Sequence, residues 1–462
     1  MKITVTAAEP KDNTLEAKLT VAAADVDAAI KKAYKDIANK YRFQGFRKGK
    51  APRPVIDGLV GKDNVLAQAS EDVLNEATPL MLDELDVVPV GQPTYGDEPV
   101  LVSEGADYEV TAKISLRPDC ELESYDAPEI NMPPAEVTDA EVAEQLETLM
   151  NYHATYEDAG EDFAAAQGDM LTLDIENVEN GEDLAGTDRP FMIGSSTVPA
   201  AFNDAIKGMK VGENKDVEIA VEGHDHTDAE GHDHTDAEGN VEHHEGKTIK
   251  VKVTLKSAKK QVVPELDDEF AKKAFGYDTV DALKDALKEE IAEDKKQQLP
   301  NIKETRVIEK VAEALKLDEL PQDYVKQVFD EIAQDFLGQL QRQGLTLDAW
   351  LSARKIQISD FLDDLNAQAA ERARQSLALD ALAKKLNLEV TEEDVRKEFE
   401  DAGVKDVDAS MKDFKEAGRM PAVRETVKRS KAVDWLVENA KVTEVDEIAE
   451  RRAAREAAKD AE

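Results

Sequence analysis

The sequence predicts a multidomain α+β protein with an N-terminal α+β domain, a small antiparallel β domain and an all-α C-terminal domain with arms. Three observations predict this fold class. The chain has 462 residues, whereas a single hydrophobic core stops growing at roughly 250–300 residues. Apolar and polar residues alternate in residues 1–21, 100–116 and 170–255, which is typical of strands. Beyond Pro264 apolar residues recur at helical spacing instead.

The first domain opens with a β-hairpin. Ile3 and Val5, then alternate residues from Leu15 to Val21, flank a turn at residues 9–13. Asp25 then begins a helix that stops before Gly45.

A second helix over about Val65–Leu85 follows, and alternation resumes in Val100–Val102 and Tyr108–Leu116. We therefore expect an α+β domain over residues 1–117.

Residues 118–166 are expected to hold a linker and one helix. Four prolines interrupt residues 118–136, a composition that favours extended chain. Thr138 and Glu141 have the spacing of a capping box, and the helix that they begin runs to about Tyr156.

Residues 167–258 are predicted to form a small antiparallel β domain. Its predicted strands, Met170–Ile175, Lys215–Val221 and Thr248–Leu255, are separated by glycines. An insert at residues 223–245 carries six of the seven histidines.

The helical domain is predicted over residues 259–462, with breaks at Pro300, Pro321 and Gly344 and a charged tail from Glu444. Its helices are expected over about Val280–Gln298, Asn301–Leu317, Gln322–Gln343, Leu347–Leu386, Thr391–Phe399 and Ala422–Ala440.

The net charge and the distribution of apolar residues limit the kinds of partner that the protein can bind. The formal charge of −42 repels nucleic acid and anionic membranes, so any RNA contact must be local. We expect no membrane partner and a cytosolic location, because neither a signal peptide nor an 18-residue apolar stretch is visible. Cys120, the single cysteine, has no internal partner and is expected to be a bystander.

One stretch reverses the charge of the chain. Residues 31–53 contain nine basic residues and one acidic residue, a local charge of +8. At its centre Gly45 and Gly49 allow a tight loop, while Arg47, Lys48 and Lys50 offer donors to phosphates or carboxylates. Phe46 adds an apolar anchor, although most charge runs of this kind are solvated surface.

The string from Gly45 to Pro52 resembles the ribosome-binding signature of trigger factors, and it follows the first long helix, as in that family. Lys207–Glu213 resembles the FKBP-type module of the same family, and Pro264–Ala271 its exit into the helical domain. The resemblance therefore covers an N-terminal ribosome-binding domain, an FKBP-like domain and a helical chaperone domain.

This resemblance implies docking on the large ribosomal subunit, on protein and rRNA at the peptide exit, with residues 45–50 as the contact. It also implies binding of nascent and unfolded polypeptides, and we further expect a homodimer off the ribosome. We expect no cofactor, since no Walker-type loop is present. The alternative is a cytosolic isomerase or holdase that acts off the ribosome; a periplasmic folding factor is opposed by the missing signal peptide.

The resemblance also implies peptidyl-prolyl isomerase activity. An isomerase lowers the barrier of about 18–20 kcal/mol by holding the prolyl bond twisted in a dry, apolar pocket, without a nucleophile or metal. We expect Phe202 at the floor of that pocket, Val198 beside it and Phe191 near a wall. Several aromatic residues of the family pattern are replaced, for example by Leu184, which predicts catalysis that is weakened or lost.

The histidine-rich insert consists largely of an octet that occurs twice, at Gly223–Glu230 and Gly231–Glu238. His224, His226, His232 and His234 could chelate Zn²⁺ or Ni²⁺ weakly, because ordering a loop around a metal costs entropy. The competing interpretation is an extension at a loop tip with no metal function.

Overall fold

The protein is described from a computed structural model that covers residues 1–96, 100–160, 163–182, 184–194, 200–221, 224–225, 243–244, 247–317, 319–354 and 356–460. The chain forms two compact units: Met1–Ile130 with Lys303–Lys441, and Asn131–Ile302 with Val442–Glu462. The predicted domain boundaries at residues 117, 166 and 258 stay predictions. Within the described residues, no helix is both long and apolar enough to cross a membrane.

The described elements follow one another in a mixed order. The strands are β1 (Ile3–Ala7), β2 (Thr14–Val21), β3 (Tyr108–Ser115), β4 (Glu129–Met132), β5 (Thr155–Asp158), β6 (Met170–Glu179), β7 (Gly186–Met192), β8 (Asn214–Val221), β9 (His224–Asp225), β10 (His243–His244), β11 (Lys247–Val262) and β12 (Lys441–Glu444). The helices are α1 (Ala23–Lys40), α2 (Arg53–Val60), α3 (Lys62–Leu85), α4 (Asp139–Tyr152), α5 (Ala200–Ile206), α6 (Asp268–Phe270, continued by a π turn over Ala271–Phe275), α7 (Val280–Glu313), α8 (Gln322–Arg342), α9 (Leu347–Arg354), α10 (Ile358–Lys385), α11 (Glu392–Asp401), α12 (Val407–Glu416), α13 (Met420–Asn439) and α14 (Glu447–Asp460).

In the first unit a three-stranded antiparallel sheet packs on two helices. The strand order is β1-β2-β3, with Ile3 opposite Val21 and Leu15 opposite Ile114. β3 alternates buried and exposed residues along its length, so one face of the sheet is free to pack. That face shares a core with α1 and α3, which confirms the hairpin and both helices expected from the sequence.

The C-terminal helices of the first unit pack against one another. α10 packs against both α8 and α13. Val328, Leu377, Leu382 and Leu436 are buried along these contacts. This agrees with the apolar stripes that predicted an all-α region.

In the second unit β11 is the centre of a five-stranded antiparallel sheet. β11 pairs with β6 on one side and with β8 and β5 on the other, and β7 continues beyond β6. Leu171, Leu173 and Val253 are completely buried in its core. The three predicted strands are confirmed, although β11 runs to Val262 rather than to Leu255.

The capping box at the start of α4 is also confirmed. The amide of Glu141 donates to Thr138 Oγ1 at 3.3 Å, and the amide of Thr138 donates to Glu141 Oε2 at 2.9 Å. The helix ends at Tyr152, because the chain then forms β5 instead of continuing to about Tyr156.

Two sequence predictions about strands and breaks are wrong. Val100–Val102 is not a strand: the amide of Val102 donates to Ser70 Oγ at 2.9 Å, and residues 90–94 occupy the edge of β3 instead. Pro300 does not break the chain into two helices but lies inside α7. Pro300 is exposed, so the helix can lose one backbone hydrogen bond there without burying an unpaired carbonyl.

Further differences concern helix ends. The predicted helix over Leu347–Leu386 is two helices, α9 and α10, because the Trp350 and Phe361 rings meet at 5.7 Å between centroids, which requires a turn. α2 and α12 were not predicted. α12 had a visible signal, since Asp406 caps it by accepting the amide of Ala409 at 3.0 Å.

Candidate functional site

The basic stretch forms a short loop between α1 and α2. α1 ends at Lys40, and Tyr41 is already extended. Phe43 is only 7% exposed and anchors the loop in the core of the first unit. The amide of Phe46 then donates to the Phe43 carbonyl at 3.1 Å, which closes a turn around Gly45 at a φ of +85°.

A second turn fixes the far side of the loop. The amide of Gly49 donates to the Ala38 carbonyl at 2.9 Å, and that of Lys50 to the Arg47 carbonyl at 2.9 Å. Gly49 has a φ of +76°, and a Cβ there would lie 2.3 Å from Asn39 Oδ1. Both glycines are therefore needed for geometry, and the loop backbone is bound to α1 rather than loose.

The side chains that the sequence predicts to bind a partner point outward from the loop. Phe46 is 43% exposed, an unusual position for an apolar ring, and Arg47, Lys48 and Lys50 are all exposed. None of the cations from Lys31 to Lys50 forms an ion pair with a described carboxylate. The basic residues in this exposed, unpaired set are Lys31, Lys32, Lys35, Lys40, Arg42, Arg47, Lys48 and Lys50.

The ninth basic residue has a structural role instead. Arg53 pairs with Glu104 at 2.5 Å and lies 4.6 Å from the centroid of the Tyr34 ring. The Tyr34 hydroxyl donates to Asp57 Oδ1 at 2.6 Å. Burial, together with this hydrogen bond to Asp57, raises the pKa of Tyr34 to about 12. The hydroxyl therefore stays a donor that ties α1 to α2 beside the loop.

The predicted isomerase pocket falls in the antiparallel domain. Phe202 is completely buried and meets Phe191 edge to face at 5.4 Å between ring centroids. Phe191 is only partly buried, so its ring is the one that a bound chain could contact. Val198 lies outside the described residues, and Leu184 packs on the edge of the same core.

The histidine insert is described only in part. β9 and β10 pair so that His224 lies opposite His244. His226, His232 and His234 lie outside the described residues. Among the residues that the structure describes, no group of three or more potential ligands could hold a metal ion.

The sequence alone does not determine which apolar residues of the helical region remain exposed. Phe336, Trp350 and Phe361 form an aromatic cluster with centroid distances of 5.0–5.7 Å where α8, α9 and α10 meet. Close to these residues in sequence, Leu337, Leu345, Ile358 and Leu362 are each 40–51% exposed. The aromatic residues were visible in the sequence, but their meeting depends on the turn between α9 and α10.

A fixed cationic loop, a small antiparallel domain and helices with exposed apolar side chains define a modular protein that binds other polypeptides. The comparisons with known proteins agree with this class. The family model described as "Bacterial trigger factor protein (TF)" matches residues 1–149, and that of the trigger factor C-terminus matches residues 279–438.

Curated relatives extend the match over nearly the whole chain. The trigger factor of Anoxybacillus flavithermus is 31% identical and is covered over 95% of its length by 91% of this chain. That of Carboxydothermus hydrogenoformans is 33% identical, with 100% of it and 96% of this chain covered. A solved structure of the trigger factor chaperone, titled for its promiscuous substrate recognition, is 19% identical with a TM-score of 0.34 and covers 94% of this chain and 99% of its own. The chain belongs to the trigger factor family, and it is a chaperone of protein folding.

Proposed function

We propose that this chaperone docks on the large ribosomal subunit at the peptide exit through residues 45–50 and binds nascent polypeptides there without ATP. Its partners would be ribosomal protein and rRNA on one side and unfolded chains on the other. The site of action would be the cytoplasm, and a homodimer would form off the ribosome. The observation that carries this proposal is the set of eight exposed, unpaired cations around a fixed loop.

The electrostatics support docking on RNA. A charge of −42 keeps the body of the chain away from phosphates, so the local charge of +8 orients it with the loop first. Each phosphate contact releases counterions, which makes such docking strongly dependent on salt. Phe46 adds an apolar contact whose desolvation is independent of salt.

The exposed apolar side chains around the aromatic cluster support binding of unfolded chains. Single exposed leucines are ordinary, but Leu337, Leu345, Ile358 and Leu362 all lie within five residues in sequence of a member of one aromatic cluster. A patch of this kind binds many sequences weakly, since it offers apolar contact with few directional bonds.

The test is co-sedimentation with 70S ribosomes at low and raised salt. We expect Phe46→Ala/Arg47→Ala/Lys48→Ala to abolish binding while circular dichroism stays unchanged, because all three side chains are exposed. Val211→Ala/Lys259→Ala/Lys260→Ala is a matched control: like the loop variant it removes one exposed apolar residue and two exposed cations, here two lysines of the antiparallel domain. Binding by the loop variant equal to that of the control would refute the docking site.

We infer in addition that the antiparallel domain retains slow peptidyl-prolyl isomerase activity with Phe191 in contact with the proline. The edge-to-face contact of Phe191 with Phe202 supports this, because it holds a partly exposed ring beside an apolar core. Acceleration of a proline-limited refolding reaction would measure the activity. Phe191→Ala should remove that acceleration, and a wild type that gives none would leave a chaperone that acts without catalysis.

A further inference from the structure

The last helix, α14, lies outside both regions that the family models match. It packs on α4 within the second unit. Arg451 Nη2 contacts both carboxylate oxygens of Glu144, at 2.6 and 2.9 Å, and Arg452 Nη1 contacts Glu147 Oε2 at 2.9 Å. The helix is therefore seated on the acidic face of α4 by two arginines.

A cavity of about 370 Å³, lined by both apolar and charged residues, lies beside these ion pairs. Ile291, Leu299 and Ile302 of α7 line it, and Ile448 of α14 reaches it. Glu290 and Asp294 are exposed at its rim. Lys295 also lines the cavity, but it is paired with Glu141 at 2.6 Å. The apolar side chains of α7 next to exposed carboxylates therefore suit a side-chain pattern that is apolar at one point and cationic at the next turn.

α14 carries that pattern on one face. Ile448, Arg451 and Arg452 are spaced i, i+3 and i+4, so they project to the same side of the helix. The carboxylates of α4 and the cavity on α7 are therefore complementary to a helical segment that carries an apolar residue followed by two cations.

The attachment of α14 is built to be reversible. Arg451 and Glu144 are 58% and 38% exposed, so solvent screens their attraction. Asp446 caps the helix by accepting the amide of Ala449 at 2.9 Å, and the amide of Val445 donates to the Met132 carbonyl at 2.9 Å. The hydrogen bond from Val445 to Met132 lies before the helix, so α14 can dissociate from α4 as an intact helix while this bond stays in place.

We propose that the acidic face of α4 and the neighbouring cavity bind basic amphipathic segments of unfolded polypeptides, and that α14 occupies this site in cis until such a segment replaces it. The proposal rests on the chaperone function given above. It names the clients that the site selects: segments with an apolar residue followed at the third and fourth positions by arginine or lysine. Charge complementarity favours them, since the site is acidic within a chain of net charge −42.

The probe is a fluorescein-labelled peptide with the sequence of residues 446–460, and the readout is its anisotropy against the full chain. In the release variant, Arg451→Glu/Arg452→Glu, repulsion from Glu144 and Glu147 frees the site. We expect this variant to bind the probe about tenfold or more tightly than wild type, in which the tethered helix competes at an effective concentration on the order of millimolar. Equal binding to both chains, or binding to neither, would overturn the proposal.

A charge swap locates the site. Glu144→Lys/Glu147→Lys in the full chain should reject the native probe and bind a probe that carries Arg451→Glu/Arg452→Glu. Tight binding of the native probe to that variant would place the site elsewhere and refute the assignment. Arg455→Glu, which changes an exposed arginine of the same helix, should leave wild-type behaviour unchanged.

Ribosome co-sedimentation separates this proposal from the docking proposal. The release variant should sediment with ribosomes as wild type does, because α14 is remote in sequence from the docking loop. Loss of probe discrimination with intact sedimentation would reject only the role of α14.

Discussion

The first unit uses the same residue types in two opposite ways. In the loop over residues 45–50, the proposed docking loop, Arg47, Lys48 and Lys50 are exposed and have no described acidic partner. At the end of β3, Arg117 is only 13% exposed and contacts Asp380 Oδ2 at 3.1 Å and a carboxylate oxygen of Glu425.

The cluster around Arg117 is closed by further contacts. Arg429 donates to both oxygens of Asp380, at 2.7 and 2.9 Å, and the Tyr324 ring lies 5.6 Å from the Arg117 guanidinium. Although burial lowers it, the carboxylates of Asp380 and Glu425 raise the pKa of Arg117 above its usual range. Charge that is buried and paired therefore fixes the fold, whereas unpaired charge on a fixed backbone is available to a partner.

The largest change in the free energy of unfolding is expected when Arg117 is replaced. Arg117→Ala should lower the free energy of unfolding by about 3–5 kcal/mol at pH 8, because it leaves two carboxylates largely buried without this partner. Urea unfolding followed by circular dichroism measures the loss. An alanine at Lys48 should change it by less than about 0.5 kcal/mol, since that side chain is exposed.

The sign of the pH dependence follows from Asp380. Burial raises the pKa of Asp380 to about 7, and Arg117 opposes that rise, so removing Arg117 raises the pKa further. The folded variant then holds a proton that the unfolded chain releases above pH about 4, and stability falls as pH increases. The loss should therefore be smaller at pH 5 than at pH 8; a loss independent of pH would show that Arg117 does not shift the pKa of Asp380.

The loop glycines give a smaller effect on stability. Gly45→Ala adds only the strain of a positive φ, because a Cβ there meets nothing within 4 Å. Gly49→Ala adds the contact with Asn39 Oδ1 as well, which the exposed Asn39 side chain can relieve by rotating, and should cost about 1–2 kcal/mol against roughly 1 for Gly45→Ala.

Ribosome co-sedimentation of these two variants decides whether the fixed backbone matters for docking. We expect Gly49→Ala to dock more weakly than Gly45→Ala, because it disturbs the turn that holds Arg47 and Lys50. Equal docking by both variants would show that charge alone, without a fixed loop, is sufficient.

The fold was predictable where periodicity is local. The alternation of β2 and β3 and the capping box at Thr138 identified their elements, because neighbouring residues determine those patterns. Val100–Val102 failed for the opposite reason: its alternation matched a strand, but the distant Ser70 hydroxyl takes the amide of Val102. Tertiary contacts of this kind leave no local signal.

The docking loop was predictable as a candidate because its composition reverses that of the chain. That its cations would lack partners was not, since Arg53 belongs to the same run and pairs with the distant Glu104. The seat of α14 was not predictable either, because Glu144 and Arg451 are separated by 307 residues. Composition locates charge, but only the fold decides which charges are paired.

Asp394 is an intermediate case, a partly exposed carboxylate that is fully paired. It accepts from the Lys431 ammonium at 2.7 Å and from the amide and hydroxyl of Thr391, both at 2.7 Å, as part of the cap of α11. The hydrogen bond from Lys431, followed by those from Thr391, lowers the pKa of Asp394 below its usual range. A lowered pKa gives stability that is present above the unfolded value of about 4 and is lost as the pH falls through the folded value.

Asp394→Asn should therefore reduce the thermal unfolding temperature slightly at pH 6, and the difference from wild type should shrink as the pH falls below about 4. Differential scanning calorimetry at several pH values measures this. Glu392→Gln is the matched control, since it removes an exposed carboxylate from the same first turn that forms no ion pair with a described residue. If both variants behave alike, the contacts of Asp394 with Lys431 and Thr391 give no stability. In its contribution to stability, the partly exposed Asp394–Lys431 pair would then resemble the unpaired cations of the loop and not the buried cluster at Arg117.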